Sequence, residues 1–487
     1  MNASREEVSL MSESQQSGEV RTSASHPRIH AIGFLQCSLF LFVWCVYGVA
    51  INSANLNAFN LQQAGVEAMA ERHQFSTEGS AAPQLQIKTY YDGPRPFGDT
   101  FLYNGHQYAA KQPGQFMLGA AVYLVLRRFG FTYVNNYLLT SALVSFLTTA
   151  LVTAIAALAI FRIARIFTTN KSLAWPLVCS LVYAFGTTTF AYSGFAYHDS
   201  LASGFLVIAF YLLLLLSRQL VHEDRAPLVA AATGFLLGLT VTTSMLPFFM
   251  ACVMAVYLLW IGRRGGRAAA LIGGALGVVP LLIFNAKSFG NPLLNSYIAG
   301  GYPESFLRFD LHNSIDKVWL YVSEISLYDP VVWLGLGALA FCLRGFRSER
   351  CLIAALFVVH AFQVLNIDSH GGCHYGPRFL LPMLPYAAIG LAGFYFLRSR
   401  TALRLAVAAV VLAGTASIAV NGVGALFGAM YCDVQVYALW PAIAALRGGD
   451  HATLPLAKWL IVPAAVSLFL LIYATWMNQR TVRSAEG

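Results

Sequence analysis

Apolar runs of about 17 to 25 residues recur along the whole length of this chain, each long enough for a helix to cross roughly 30 Å of hydrocarbon. Lipid offers no partner to unpaired backbone N–H and C=O groups, so helices are the only open structure that can span. Composition agrees: 57% of the 487 residues are hydrophobic and 11% are charged, where a soluble globular chain carries roughly 25% charged residues. The sequence therefore predicts an all-α integral membrane protein. The net charge of +9 does not indicate nucleic acid, because the basic residues fall in short clusters between the apolar runs, as the positive-inside rule describes.

Those clusters are Phe161 to Lys171, Ser217 to Arg225, Gly262 to Arg267, Arg344 to Arg350, Arg398 to Arg404 and Asn478 to Arg483. Two spans between each consecutive pair put every cluster on the cytoplasmic side, with both termini cytoplasmic. This gives about twelve spans, near 31–53, 137–161, 172–191, 199–217, 226–244, 247–262, 268–285, 330–343, 351–367, 379–397, 405–427 and 456–477. The run Phe116 to Phe129 is short for a span and ends in Arg127 and Arg128. Counting it as a span would invert every later cluster, so it is expected as an interfacial helix on the outer face.

Three regions follow. Residues 1–30 are rich in Ser, Glu and Gln and are expected to be a disordered cytoplasmic tail. Residues 31–397 form a transmembrane core with long outer loops at 53–136 and 287–329, and 398–487 hold the last helices and a short cytoplasmic tail. The first apolar run lacks a small-residue cleavage site and reads as an uncleaved anchor. Six of the eight cysteines lie in or beside spans, whereas Cys373 and Cys432 fall in outer loops where an oxidising compartment could join them.

Three polar clusters on the outer side can carry chemistry. In "GDTFLYNGHQYAAKQPG", with Asp92 just upstream, Asp99 can act as a general base for an acceptor hydroxyl, and Lys111 can hold a phosphate as a point charge. The alternative is a solvated loop whose Lys111 reaches to lipid headgroups. In "AYSGFAYHDS", His198 suits a phosphate or a cation, while Asp199 or Ser200 is also well placed to cap the following helix. In "NIDSHGGCHYGPRFLLPMLPY", Asp368, His370, His374, Tyr375 and Arg378 surround a Gly-Gly pair. Positive-inside bias disfavours Arg378 in an outer turn, so it needs an anionic partner: a phosphate headgroup or a carboxylate such as Asp368. Two histidines four residues apart are weak evidence for a metal.

These stretches resemble GT-C class membrane glycosyltransferases, the group that includes protein mannosyltransferase-like and lipid A aminoarabinose transferase-like enzymes. "YNGHQYAAKQPGQF" is similar to the first-outer-loop signature, while "FNAKSFGNPLLNSY" and "GGCHYGPRFLLPMLPY" are similar to later signatures of an uncharacterised bacterial branch. The resemblance runs from the first span to about Gly393 and implies transfer of a sugar from a polyprenyl-phosphate donor to a lipid, glycan or protein acceptor on the outer face of a bacterial inner membrane. By position, Lys111 matches the signature lysine and Arg378 the arginine of Gly-Pro-Arg; both are then expected to hold the donor phosphate, with His198 beside them. His106, Tyr108, His374, Tyr375 and Asp368 are expected to contact substrate. A divalent cation could assist, although no residue pattern requires a metal.

One departure matters. Many members place an acid soon after the first span, but "INSANLNAFNLQQAG" offers Asn52, Asn55, Asn57 and Asn60 there. An amide cannot serve as base, so Asp99, or else Asp92, has to take that role. Gln112 also stands where proline is common. The alternatives to a transferase are a secondary transporter or lipid flippase, or a non-catalytic member of the same family. No repeat relates the two halves of the chain, as transporter folds often require.

Overall fold

The computed structural model describes residues 26–86, 99–170, 172–301, 307, 310–367, 374–429, 437–448 and 452–486. Asp92, Asp368, His370, Cys373 and Cys432 lie outside the described residues.

All twelve apolar segments are helical, but they are not equivalent. By length and composition eight can cross a membrane: Ala31–Ala50, Tyr133–Phe167, His198–Ser217, Glu223–Thr243, Arg264–Phe289, Arg347–Asn366, Arg400–Phe427 and Ala457–Arg480. A ninth would be the bent pair His312–Tyr328 and Pro330–Cys342, which meet at 105°. The segments Ala174–Phe185, Phe248–Ile261 and Leu384–Phe396 are shorter apolar helices. The hydropathy of the last has a different origin: every residue from Leu384 to Gly393 is buried. Gly390 and Gly393 lie so close to the Pro330–Cys342 helix that an added Cβ would stand 2.1 Å from Gly335 O and 2.2 Å from Ala338 O. Burial among helices and burial in lipid select the same residue types, so hydropathy alone counts both as spans.

The chain divides into two compact units. Among the described residues, one takes in 26–42 and 462–486. In it the Asn478 side chain donates to Ala31 O at 3.4 Å, joining the first and last helices. The other takes in the described residues of 43–461, with the long connections between helices.

Within the larger unit, the segment after the first helix is held by local chemistry. Asn52 caps the short helix Ser53–Ala58, its side-chain oxygen accepting from Asn55 N at 2.8 Å. Its amide donates to Ala425 O at 2.7 Å, and Asn55 Oδ1 accepts from Ala429 N at 2.6 Å. The asparagines at the place of the expected early acid thus tie this loop to the C-terminal end of the Arg400–Phe427 helix. The helix Gly114–Arg128 begins after Pro113 and packs on the helix Asn60–Glu67. Gly114 permits this entry, because a Cβ there would lie 2.8 Å from Thr243 Cα.

The fold is not wholly helical. Thr100–Tyr103 (β1) and His106–Ala109 (β2) form an antiparallel hairpin, with Thr100 opposite Ala109 and Tyr103 opposite His106. Asn104 and Gly105 make its two-residue turn with φ of 49° and 80°, the left-handed pair that a type I′ turn demands. This Asn-Gly pair is the local signal from which the hairpin can be read.

Candidate active site

The hairpin brings together two residues twelve positions apart. Beyond β1 and β2 the ladder continues with Ala110 N donating to Asp99 O at 2.7 Å. Asp99 and Lys111 therefore leave the foot of the hairpin side by side, and Lys111 Nζ lies 2.9 Å from Asp99 Oδ2. Asp99 holds φ of 61°, a conformation costly for most side chains but tolerated by Asp. Ser296 fixes the lysine backbone by donating to Lys111 O at 3.1 Å. Ser296 belongs to the stretch Phe284 to Tyr297, whose turn is closed by Gly290 at φ 75° and by Asn285 donating to Pro292 O at 3.0 Å.

His198 opens the helix His198–Ser217 and is almost fully buried. The Gln62 amide lies 3.3 Å from its Nδ1, and its Nε2 is 3.4 Å from Asp199 Oδ1. With Gln62 donating to Nδ1, the ring proton sits on Nε2 and faces the carboxylate. Asp199 is not a helix cap: Tyr197 holds that position, without a side-chain cap. Asp199 Oδ1 instead accepts from Ser244 Oγ at 2.6 Å. Tertiary packing has drawn the carboxylate away from its own first turn, toward the break between two neighbouring helices.

Arg378 stands in the 3-10 turn Arg378–Leu380. Its backbone N–H donates to Gly376 O at 2.8 Å, and His360 Nε2 lies 2.8 Å from the carbonyl of Phe379, which pins the turn to the helix Arg347–Asn366. The guanidinium carbon lies 5.7 Å from the Tyr197 ring centre and 5.2 Å from that of Phe379.

These pieces converge. Asp99, Lys111, His198, Asp199, Tyr297 and Arg378 line one cavity of about 370 Å³, with Met245, Leu246, Phe248, Phe249 and Phe379 among its apolar walls. The Asp99 side chain keeps 58% of its surface accessible, opening into this cavity among protein atoms. Burial works against its charge, but Lys111 beside it, and more distantly Arg378 and His198, hold its carboxyl below the usual carboxylate range. Burial likewise opposes the charge on Lys111, yet Asp99 and Tyr297 outweigh it and raise the ammonium above its ordinary value. Arg378 is raised despite burial, with Tyr197, Tyr192, Asp199 and Asp99 around it. The cavity thus presents two fixed cations and two carboxylates, of which Asp199 is inaccessible and Asp99 is within reach.

The remaining expected contacts lie elsewhere. His106 is exposed on β2 and pairs with Glu78 at 2.8 Å, and Tyr108 packs with Phe101, Phe284 and Phe289. His374 pairs with Glu324 at 2.9 Å. Tyr375 is fully buried and donates its hydroxyl to Val420 O at 2.6 Å. None of the four lines the cavity. In their place Asp199, Ser244 and Tyr297 line it, and Gln62 stands behind His198. Of these, Tyr297 had a sequence signal as the last residue of one signature stretch, and Asp199 one as a possible helix cap. Gln62 sits in the run that lacks the early acid. Among the described residues no group of three or more His, Cys, Asp or Glu side chains can hold a metal ion.

No family model matches the sequence, and no curated protein matches it. Among solved structures, the chain is similar to ArnT from Cupriavidus metallidurans bound to undecaprenyl phosphate, with a TM-score of 0.48 and 14% identity over 92% of this chain and 77% of that one. The same protein in its apo state gives 0.46 and 13% over 92% and 76%. The Archaeoglobus fulgidus oligosaccharyltransferase in complex with zinc and sulfate gives 0.45 and 13% over 81% of this chain, which spans 54% of its length.

Proposed function

We propose that this chain is a multi-pass membrane glycosyltransferase of inverting type, which moves a sugar from a polyprenyl-phosphate donor to an acceptor hydroxyl at the outer face of a bacterial inner membrane, with both termini cytoplasmic. The observation that carries the reading is the convergence of Asp99, Lys111, His198 and Arg378 on one cavity.

Asp99 is the base, and accessibility chooses it over Asp199, which is 3% exposed and already accepts from Ser244. The acceptor oxygen attacks the anomeric carbon while Asp99 takes its proton; the bond from that carbon to the phosphate oxygen breaks, and polyprenyl phosphate leaves with the electron pair. Lys111 and Arg378 stabilise the charge that develops on the leaving oxygen. His198, oriented by Gln62 and Asp199, is a third contact for the phosphate or sugar. The low proton affinity of Asp99 in the free protein suits this order of events. A phosphate that engages Lys111 draws the ammonium's charge away from Asp99 and makes the carboxylate a stronger base only when donor is bound.

An apolar groove supports a lipid donor. Phe248 lines both the cavity and a second hollow of about 340 Å³, bounded by Gly234, Gly238, Ala251, Ala255 and Gly274. The helices Ala226–Thr243 and Arg264–Phe289 pack in backbone contact there, since a Cβ on Gly234 would lie 2.1 Å from Ala270 O. Such small residues leave room for a hydrocarbon chain whose phosphate lies in the polar cavity. The described donor set does not fit a divalent cation: Asp99 faces Lys111, and Asp199 accepts from Ser244. No step is therefore assigned to a metal.

The test is mass spectrometry of lipid-linked and surface sugars in cells with the wild type, with Asp99→Asn and without the protein. The expected result is a product that disappears in both altered strains, a general base being worth roughly 10²- to 10⁴-fold in rate. Full product from Asp99→Asn at normal expression removes Asp99 from the mechanism, and flux of an unmodified lipid without covalent product favours a transporter.

A further inference from the structure

Asp329 is an acid that the proposed reaction does not use. It lies at the break where the helices His312–Tyr328 and Pro330–Cys342 meet at 105°, and it is 0% exposed. Proline at 330 disfavours helical backbone at the preceding residue, so the break itself is written in the sequence. The carboxylate is satisfied by neutral donors alone: Thr188 Oγ1 donates to Oδ2 at 2.7 Å and Asn421 Nδ2 to Oδ1 at 3.0 Å. Asn421 also donates to Tyr328 O at 2.8 Å, and Ser417 Oγ accepts from Val331 N at 3.3 Å. A buried acid inside an apolar bundle is expensive, and a neutral polar residue could have met the same donors.

The groups that Asp329 gathers form the seat of the turn carrying Arg378. Gly376, two residues before the arginine, holds φ of 63°, and a Cβ there would lie 2.9 Å from Thr188 Oγ1 and 3.0 Å from Tyr328 Cγ. The neighbouring Tyr375 packs edge-on against Tyr328 at 4.8 Å and donates its N–H to the Tyr192 hydroxyl at 2.7 Å. Thr188 and Tyr328 are thus shared, held by the Asp329 cluster on one side and packed against the arginine turn on the other.

We infer that Asp329 is a positioning residue for Arg378: through Thr188 and Tyr328 it fixes the turn that aims the guanidinium at the donor phosphate. The inference rests on the donor reading above. It predicts coupling that a merely structural role lacks, because a change at Asp329 matters to donor binding only while Arg378 is present.

The experiment is binding of undecaprenyl phosphate to the full-length detergent-solubilised protein, for the wild type, Asp329→Ala, Arg378→Gln and the double variant. Asp329→Ala should weaken binding roughly tenfold, within the range seen for contacting residues. Arg378→Gln should weaken it at least as much, and the double variant should bind no worse than Arg378→Gln. Thr188→Val, which removes one hydrogen bond, should give the same pattern at smaller amplitude and stands in if Asp329→Ala fails to fold. Unchanged binding in Asp329→Ala, or losses that multiply in the double variant, would overturn the assignment. Failure of the wild type to bind refutes the donor reading itself, and this role with it.

Discussion

Replacing Lys111 with methionine should make Asp99 harder to ionise, and the structure sets the sign and the size. The pair is 2.9 Å apart. At an effective dielectric of about 20, that separation is worth roughly 5 to 6 kcal/mol. The Asp99 side chain is 58% accessible, so this figure must be discounted toward the value of about 1 kcal/mol typical of solvent-exposed pairs. A remainder of about 1 to 2 kcal/mol is left. Lys111 lowers the Asp99 value in the folded protein while burial raises it, so removing the lysine leaves burial dominant and moves the value up. Stability follows the same sign. A carboxyl held below its unfolded value of about 3.9 stabilises the fold above that pH and loses the contribution as pH falls through the folded value. The variant should lose about 1 kcal/mol at neutral pH. The assay is the pH dependence of kcat/KM for sugar transfer, which reports the base in the free enzyme. The wild type should show no loss from Asp99 protonation between about pH 5 and 8. The acidic limb of the variant should move to higher pH, whatever its overall rate. A limb at the same pH in both proteins would refute the pair as the setting of the base.

Two further outcomes follow from the packing. Ala255→Trp fills the groove beside Phe248 and should raise KM for a long-chain polyprenyl donor while leaving a donor of two isoprene units nearly unaffected; equal effects on both would mean that the chain lies elsewhere. Gly376→Ala introduces a side chain at φ 63° and 2.9 Å from Thr188 Oγ1, so it should cost about 1 to 2 kcal/mol in thermal unfolding and weaken donor binding as well. A variant as stable as the wild type would show that the turn relaxes without consequence.

Much of the site was legible residue by residue and illegible as an arrangement. Lys111 stood out as the lysine of a signature beside an acid and Arg378 as a cation where the charge bias of the sequence disfavours one, and both line the cavity. His106, Tyr108, His374 and Tyr375 share the same motifs, yet they pair with Glu78 and Glu324 or pack into the interior. Nothing in residue type separates these two groups, since a polar side chain near a motif can face a ligand or a neighbouring helix. Asp199 is the converse case. At the start of a helix it satisfies the local rule for a cap, and only the arrival of Ser244 from a distant break shows why it does not cap.

The sequence by itself determined the medium and the helices, because the recurrence of apolar runs leaves a backbone in lipid no other way to satisfy its hydrogen bonds. It also determined the local breaks: the Asn104-Gly105 turn, the stop before Pro330 and the entry at Pro113. Tertiary structure alone decided which apolar helices are buried by other helices and which are long enough to cross the membrane, since both environments select the same side chains. It alone brought Lys111, His198 and Arg378 from three separate segments to one cavity with Asp99. The physical reason is that a motif specifies which groups are present, whereas their distances depend on close packing among helices far apart in the chain.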